Sequence, residues 1–146
     1  MKQILVCIDF HKETTKLLDK AVEIAKAFNS KIWLLHVAAP DPDFVGYDVG
    51  PQYIRDDRAQ TLKDENQKLM EIARSIREKY NLESDALLIQ GPTIEMIIEK
   101  SKELQVDLIV TGHHHRGFFY KVFNQHTSSS LLSKSDIPVL VIPVDD

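Results

Sequence analysis

The stretch Val106-Asp-Leu-Ile-Val-Thr-Gly-His-His-His-Arg-Gly117, with the later run Ile137-Pro-Val-Leu-Val-Ile-Pro143, decides the fold of this chain. Each segment contains a short apolar run rich in branched residues, which is typical of a strand buried on both faces. A polar, histidine-rich loop follows Gly112, and a short helix is predicted at Thr127–Lys134. Because an open α/β sheet binds its ligand at the carboxyl ends of its strands, we expect any functional site near this loop.

The rest of the chain repeats the alternation of strand and helix. Apolar runs predict five strands, at Gln3–Ile8, Lys31–Ala38, Asp85–Gln90, Asp107–Thr111 and Val139–Ile142. Helical spacing predicts further helices, at about Lys12–Phe28, at Asp57–Tyr80 and after Gly91-Pro92. The polar face of the second helix is expected to lie in water, and the segment Ala39–Asp56 is expected to be an irregular flap. The pattern predicts one α/β domain over residues 1–146, with an open, mostly parallel five-stranded sheet covered by helices on both faces.

Composition limits the class of function. The 146 residues are 43% hydrophobic and 27% charged, which is typical of a globular protein, and the net charge of -4 gives no electrostatic reason to expect nucleic acid. No apolar run approaches the roughly 20 residues of a membrane span, and the chain starts directly with a strand, so we expect a cytoplasmic protein. The lone Cys7 lies in an apolar run and is expected to be a buried, inert thiol. No nucleophile triad, paired cysteines or Walker loop is present, which predicts no enzyme, or at most a slow ATPase.

Four segments together resemble the universal stress protein family. They occur in the family's order and span essentially the whole chain: Ile4-Leu-Val-Cys-Ile-Asp9, Leu35-His-Val37, Val106-Asp-Leu-Ile-Val-Thr-Gly112 and Ile137-Pro-Val-Leu-Val-Ile-Pro143. The resemblance implies a Rossmann-like sheet of the adenine nucleotide alpha hydrolase type, with strand order 3-2-1-4-5. It also implies a homodimer in which the last strands, Val139–Val144, pair across a two-fold axis. Edge-strand physics favours this pairing, because an uncapped apolar strand is a template for another chain.

The family includes members that bind ATP and members that do not. The usual discriminator is a loop of Gly, two residues, Gly, nine residues, Gly and then Ser or Thr, in which glycines let backbone N–H groups approach phosphate oxygens. Here Gly112 supplies the first glycine, but the later positions fall on His115, Gln125 and His126. Gly112-His-His114 instead resembles the branch typified by the founding bacterial universal stress protein, which lacks ATP binding. The resemblance therefore implies that ATP binding is weak or absent and that no cofactor is needed.

An adapted nucleotide site is the alternative hypothesis. Gly117 could give the loop flexibility, and Ser128 could present a hydroxyl two residues late. Asp9 matches the family aspartate near the metal and phosphates of the nucleotide, and Val37 matches the position beside the adenine. The chain would then be a sensor that binds ATP or AMP with Mg²⁺. Asp9 has a second interpretation, as a turn aspartate that accepts hydrogen bonds from nearby backbone N–H groups.

The cluster His113-His-His115 raises the question of a metal site. Adjacent side chains point in different directions, whereas a closed site needs three or four converging ligands, so we expect no metal. Two alternatives stay open: a histidine fills the space where phosphate would otherwise sit, or protonated imidazoles attract an anion.

The function predicted from the sequence is a stress-response or regulatory role in a cytoplasmic homodimer. An unidentified regulatory protein is a possible further partner, with Ala39–Asp56 as one surface for it. No nucleic acid or membrane partner is expected.

Overall fold

The computed structural model describes residues 1–10, 14–39, 52–113 and 128–144, without the side chains of 128–130. Strands and helices alternate along these residues. The strands are β1 (Gln3–Cys7), β2 (Lys31–Ala38), β3 (Ser84–Gln90), β4 (Leu108–His113) and β5 (Val139–Pro143). The helices are α1 (Thr15–Phe28), α2 (Gln52–Tyr80), α3 (Thr93–Glu103) and α4 (Ser128–Lys134).

The five strands form one parallel sheet in the order β3-β2-β1-β4-β5. This confirms the α/β class and the strand order that the resemblance implied. Strand β1 lies at the centre, where Ile4, Leu5 and Val6 have no exposed surface. The chain runs outward from β1 through β2 to β3 and then returns to β4, so the strand order reverses between β1 and β4. Such a reversal creates a crevice at the carboxyl ends of the strands.

Helices α1 and α2 cover one face of the sheet, and α3 and α4 cover the other. Successive residues of β1 alternate between these layers, with Ile4 in the first core cluster and Leu5 in the second. The first layer contributes the buried helix residues Leu17, Ala21, Val22, Ala25, Leu69, Ala73 and Ile76. The second contributes Ile94, Ile97 and Leu131. None of the helices in the described residues is long and apolar enough to cross a membrane.

Helix α2 begins earlier than the sequence predicted. It starts at Gln52, so the prediction of an irregular segment over Ala39–Asp56 is wrong for residues 52–56. No glycine or proline interrupts this part of the chain, and the Gln52 side-chain amide donates to the Asp56 carboxylate at 2.8 Å. Pairs spaced by four residues stabilise a helix. The rest of the predicted flap, residues 40–51, and the predicted first-helix residue Lys12 lie outside the described residues.

Strand β4 continues through the glycine that was predicted to end it. Gly112 pairs with Ile142, and His113 pairs with Pro143. A Cβ atom on Gly112 would lie 3.3 Å from Cγ1 of Val144 and 3.8 Å from Cδ2 of Leu17. The missing side chain therefore allows the end of β5 and helix α1 to pack closely against β4, which is a common reason for glycine inside a strand.

Candidate small-molecule site

A cavity of about 470 Å³ lies at the carboxyl ends of β1 and β2. Its walls come from both strands and from two helices: Cys7, Ile8, Asp9, Leu35, His36, Val37, Ala38, Ala39, Arg58, Thr61, Glu65, Thr93 and Ile97. The volume lies within the range of small-molecule sites, about 300 to 1,000 Å³. A second, more open depression of about 620 Å³ lies between α1 and α2, but it is lined by none of the residues that the sequence predicted for a site.

Two of the predicted site residues meet at this cavity. Asp9 follows β1 and is half-buried, and Val37 lies near the end of β2. Gly112 is not among the lining residues, and its missing side chain is explained by the packing of Val144. Ser128 is the first residue of α4, but its side chain is not described. The predicted loop residues that lie outside the described residues are His115, Gly117, Gln125 and His126.

The histidine cluster is described only at its first member. His113 is the last residue of β4 and the last position paired with β5, opposite Pro143, and it is half-buried. His114 and His115 lie outside the described residues. Within residues 1–10, 14–39, 52–113 and 128–144, no three His, Cys, Asp or Glu side chains are grouped so that they could hold a metal ion.

Helix α2 supplies one wall of the cavity, which the sequence prediction missed. Arg58 and Glu65 were expected to lie in water on the polar face, but both are half-buried, and Thr61 lines the cavity between them. The Arg58 guanidinium donates a hydrogen bond to the backbone carbonyl of Ala39. The spacing held the necessary signal, because Arg58 and Glu65 lie seven residues apart on the stripe that continues to the buried Leu69.

His36 lies at the same edge of the sheet and is 8% exposed as a residue. Its Nδ1 atom lies 2.8 Å from the carbonyl oxygen of Ile8, and its Nε2 atom lies 3.2 Å from Oε2 of Glu65. The ring also makes an edge contact with Phe10, with 4.8 Å between ring centroids. This arrangement joins β1, β2 and α2 through one imidazole.

The thiol on the cavity wall is buried, as the sequence predicted. Cys7 is buried and free, and burial raises its pKa to about 12. At neutral pH the sulfur is therefore protonated, and a protonated thiol is neither a nucleophile nor a metal ligand. The chemistry that the cavity offers is apolar contact together with the Asp9 carboxylate, the Arg58 guanidinium and the hydroxyls of Thr61 and Thr93.

The fold and the cavity together define a doubly wound α/β domain with a ligand-sized space at the carboxyl ends of its central strands. A sequence model of the Universal stress protein family matches residues 1–143. The chain therefore belongs to the universal stress protein family, as the four sequence segments indicated.

Individual relatives agree with this assignment. The chain is 32% identical over 148 aligned residues to the Universal stress protein A homolog of Haemophilus influenzae, covering 99% of this chain and 98% of that protein. A solved universal stress protein family structure from Burkholderia pseudomallei matches with a TM-score of 0.74 and 21% identity, over 98% of this chain and 96% of the other. The universal stress protein from Archaeoglobus fulgidus in complex with dAMP matches with a TM-score of 0.58 and 18% identity, over 97% and 98%. These two likenesses show the shared fold.

Proposed function

We propose that this chain is a regulatory universal stress protein that acts in the cytoplasm as a homodimer and is not an enzyme. Family membership over residues 1–143 supports a role in the stress response. The raised pKa of Cys7 argues against covalent catalysis at the cavity. A regulatory protein needs a ligand or a partner to respond to, and the part of the chain that the structure describes offers the cavity and the β5 edge as candidate surfaces.

The cavity is proposed to take the base and ribose of an adenine nucleotide. The observation that carries this proposal is the single space of about 470 Å³ that joins Asp9 to Val37. The apolar side chains of Leu35, Val37 and Ile97 suit a flat heterocyclic base, and a carboxylate such as Asp9 suits ribose hydroxyls or a Mg²⁺ ion. The dAMP held by the Archaeoglobus fulgidus protein supports this class of ligand.

The phosphates are proposed to be held weakly. Three of the four signature positions carry His115, Gln125 and His126 in place of small residues. The remaining position, the first of the signature, is Gly112, whose missing side chain leaves room for Val144 and Leu17. This packing explains the glycine without a bound phosphate. Additional phosphate groups should therefore add little affinity. The opposing candidate is a sensor in which an adapted loop, with Gly117 and Ser128, binds the phosphates of ATP or AMP.

Calorimetric titration with adenosine, AMP, ADP and ATP, each with and without Mg²⁺, tests the proposal. We expect all four ligands to bind weakly and within about tenfold of one another, which corresponds to about 1.4 kcal/mol of binding free energy. The reason is that contacts to base and ribose are common to all four. Thr61→Trp, which places a large ring at the cavity wall, should weaken all four equally, whereas the exposed Thr15→Trp on α1 serves as a control.

Each other result has a distinct meaning. ATP binding more than tenfold tighter than adenosine binding would establish the adapted loop as a phosphate site and favour the sensor. Silence with every ligand, from protein whose ultraviolet spectrum shows no bound nucleotide, would contradict the cavity proposal and leave the dimer and its protein partners as the functional surfaces.

The homodimer is proposed to form through β5. This strand is last in the sheet order, so one of its edges is unpaired within the described residues. Ile142 and Val144 are each 7% exposed and pack within their own protomer. The part of the predicted Val139–Val144 contact that is available to a second copy is therefore the half-buried run Val139, Leu140 and Val141 together with the exposed Pro143.

Val141→Lys is expected to weaken the dimer at least about tenfold. The two-fold axis would bring the new ammonium group close to its own copy, and like charges brought together in an interface are unfavourable. Sedimentation equilibrium measures the dissociation constant. The same substitution at an exposed α1 position, Ala27→Lys, adds the same charge and should leave the constant unchanged. A dimer of unaltered strength in Val141→Lys would place the contact on another surface.

A further inference from the structure

The imidazole of His36 is held in one tautomeric state by its surroundings. Its Nδ1 atom lies 2.8 Å from the backbone oxygen of Ile8, which can only accept, so Nδ1 carries a hydrogen. The Nε2 atom on the opposite side of the ring faces Oε2 of Glu65 at 3.2 Å. Phe10 closes a third side of the ring. The proton count on Nε2 and Glu65 therefore decides whether this contact attracts or repels.

A neutral imidazole beside an ionised carboxylate would be unfavourable in this geometry. With its hydrogen on Nδ1, a neutral His36 leaves Nε2 unprotonated 3.2 Å from the negative oxygen of Glu65 and offers that oxygen no hydrogen. One additional proton, on either partner, converts the contact into a donor and an acceptor. Oε2 of Glu65 is buried and makes no hydrogen bond of ordinary geometry to any described residue, so Nε2 is its nearest compensation. Burying the Glu65 carboxylate without a partner such as Nε2 would cost free energy.

This contact holds a part of α2 that buries few apolar side chains. The fully buried residues of the helix are Leu69, Ala73 and Ile76, all in its second half. In residues 52–65 no side chain is fully buried, and the half-buried ones are Ile54, Arg58, Leu62 and Glu65. Segments with few buried apolar contacts open at low free-energy cost. The first half of α2 is therefore held at the cavity by polar contacts, which include the Arg58 hydrogen bond to Ala39 and the contact between Glu65 and His36.

We propose that His36 and Glu65 form a buried binding site for one proton, and that its occupancy holds the first half of α2 over the cavity. When the proton is bound, the pair joins α2 to the carboxyl end of β2. When rising pH removes it, the lone pair of Nε2 and the Glu65 carboxylate repel each other, and residues 52–65 are released from the cavity wall. The cavity would thereby respond to pH whether or not it binds a nucleotide.

Other ionisable groups lie near this pair, but the described contacts include no second charged partner for His36 or Glu65. On the cavity side, the ionisable groups are Asp9 after β1, Cys7 in β1 and Arg58 on α2. α3 contributes only the uncharged Thr93 and Ile97, and β3 places Leu88 opposite His36 in the sheet. Beyond Phe10, the depression between α1 and α2 is lined by the charged groups Asp19, Lys68, Glu71 and Lys79.

Two measurements on the nucleotide-free protein test the proposal, so the result does not depend on the function proposed above. Nitrogen NMR of the labelled imidazole follows the proton on Nε2 of His36 across about pH 5 to 8. Hydrogen exchange, corrected for the intrinsic pH dependence, compares residues 52–65 with residues 66–80 of the same helix. The key variant is Glu65→Gln, whose amide can donate to the lone pair of a neutral imidazole and keeps the contact without the extra proton. Glu78→Gln, at an exposed position on α2, removes the same charge and is the control.

The expected result is loss of a proton from the pair as pH rises, with protection of residues 52–65 falling by up to about tenfold per pH unit for one linked proton. Protection of residues 66–80 against hydrogen exchange should not change with this proton loss. The pH dependence should disappear in Glu65→Gln and persist in Glu78→Gln. A His36 that is singly protonated over the whole range with Glu65 ionised would overturn the proposal, and so would an unchanged pH dependence in Glu65→Gln.

Discussion

Leu69→Ala is expected to lower the free energy of unfolding by about 2 to 5 kcal/mol, a large part of the roughly 5 to 15 kcal/mol of a typical domain. Leu69 has no exposed surface and belongs to the core cluster between α2 and the sheet. Removing its side chain would cost the transfer free energy of the lost atoms and leave a cavity. It is also the first fully buried residue of α2. It therefore anchors the second half of the helix, and the first half continues from it to form the cavity wall. Urea denaturation at fixed protein concentration measures the effect as a shift in midpoint at constant slope.

The neighbouring residue provides the control for this prediction. Met70 is 57% exposed, so Met70→Ala should change the free energy of unfolding by no more than about 0.5 kcal/mol. A loss below about 1 kcal/mol for Leu69→Ala would contradict the close packing of α2 against β3 and β2. It would also remove the distinction between a firmly packed second half of α2 and a loosely held first half.

The triple variant His115→Gly, Gln125→Gly and His126→Ser is expected to bind ATP at least about tenfold more tightly than the unaltered chain, a gain of about 1.4 kcal/mol. The three changes restore the glycines and the hydroxyl of the family's nucleotide-binding signature. Glycine allows backbone N–H groups to approach phosphate oxygens, and the hydroxyl adds one donor. Because the base and ribose contacts are unchanged, adenosine affinity should stay the same. Calorimetric titration with both ligands measures the two constants.

A second triple variant separates side-chain bulk from backbone freedom. His115→Ala, Gln125→Ala and His126→Ala shorten the same side chains but keep each Cβ atom and add no hydroxyl. We expect this variant to gain less ATP affinity than the glycine-containing one. If neither variant binds ATP better than the unaltered chain, the departures at these three positions are not what limits phosphate binding.

The strands were the part of the fold most readily predicted from the sequence. The apolar runs around Leu5, Leu34 and Ile109 are short, rich in branched residues and bounded by polar residues, so five parallel strands could be placed within one or two residues. The end of β4 was misplaced because Gly112 was interpreted as a strand terminator. Glycine is favoured at this strand position because Val144, 32 residues further along the chain, packs against it. A contact between residues far apart in the chain is not visible in a local pattern.

The candidate site was predicted in part. Asp9 and Val37 were identified from the resemblance, and the structure places both on one cavity. Arg58 and Glu65 were assigned to water because charged side chains on a long helix are usually solvated. The sequence alone does not indicate which α2 residues lie over the strand ends, because that depends on how the helix is rotated against the sheet.

The sequence by itself determined the α/β class, the succession of elements and the family, because hydrophobic periodicity and short motifs are local properties of the chain. The tertiary structure alone decided that α2 forms a cavity wall and that His36 meets Glu65. Those two residues are 29 positions apart, and they meet because β2 ends beneath the first half of α2 at a distance that fits one imidazole and one carboxylate. The packing of a helix on a sheet therefore creates the chemistry of this cavity from residues that no local pattern connects.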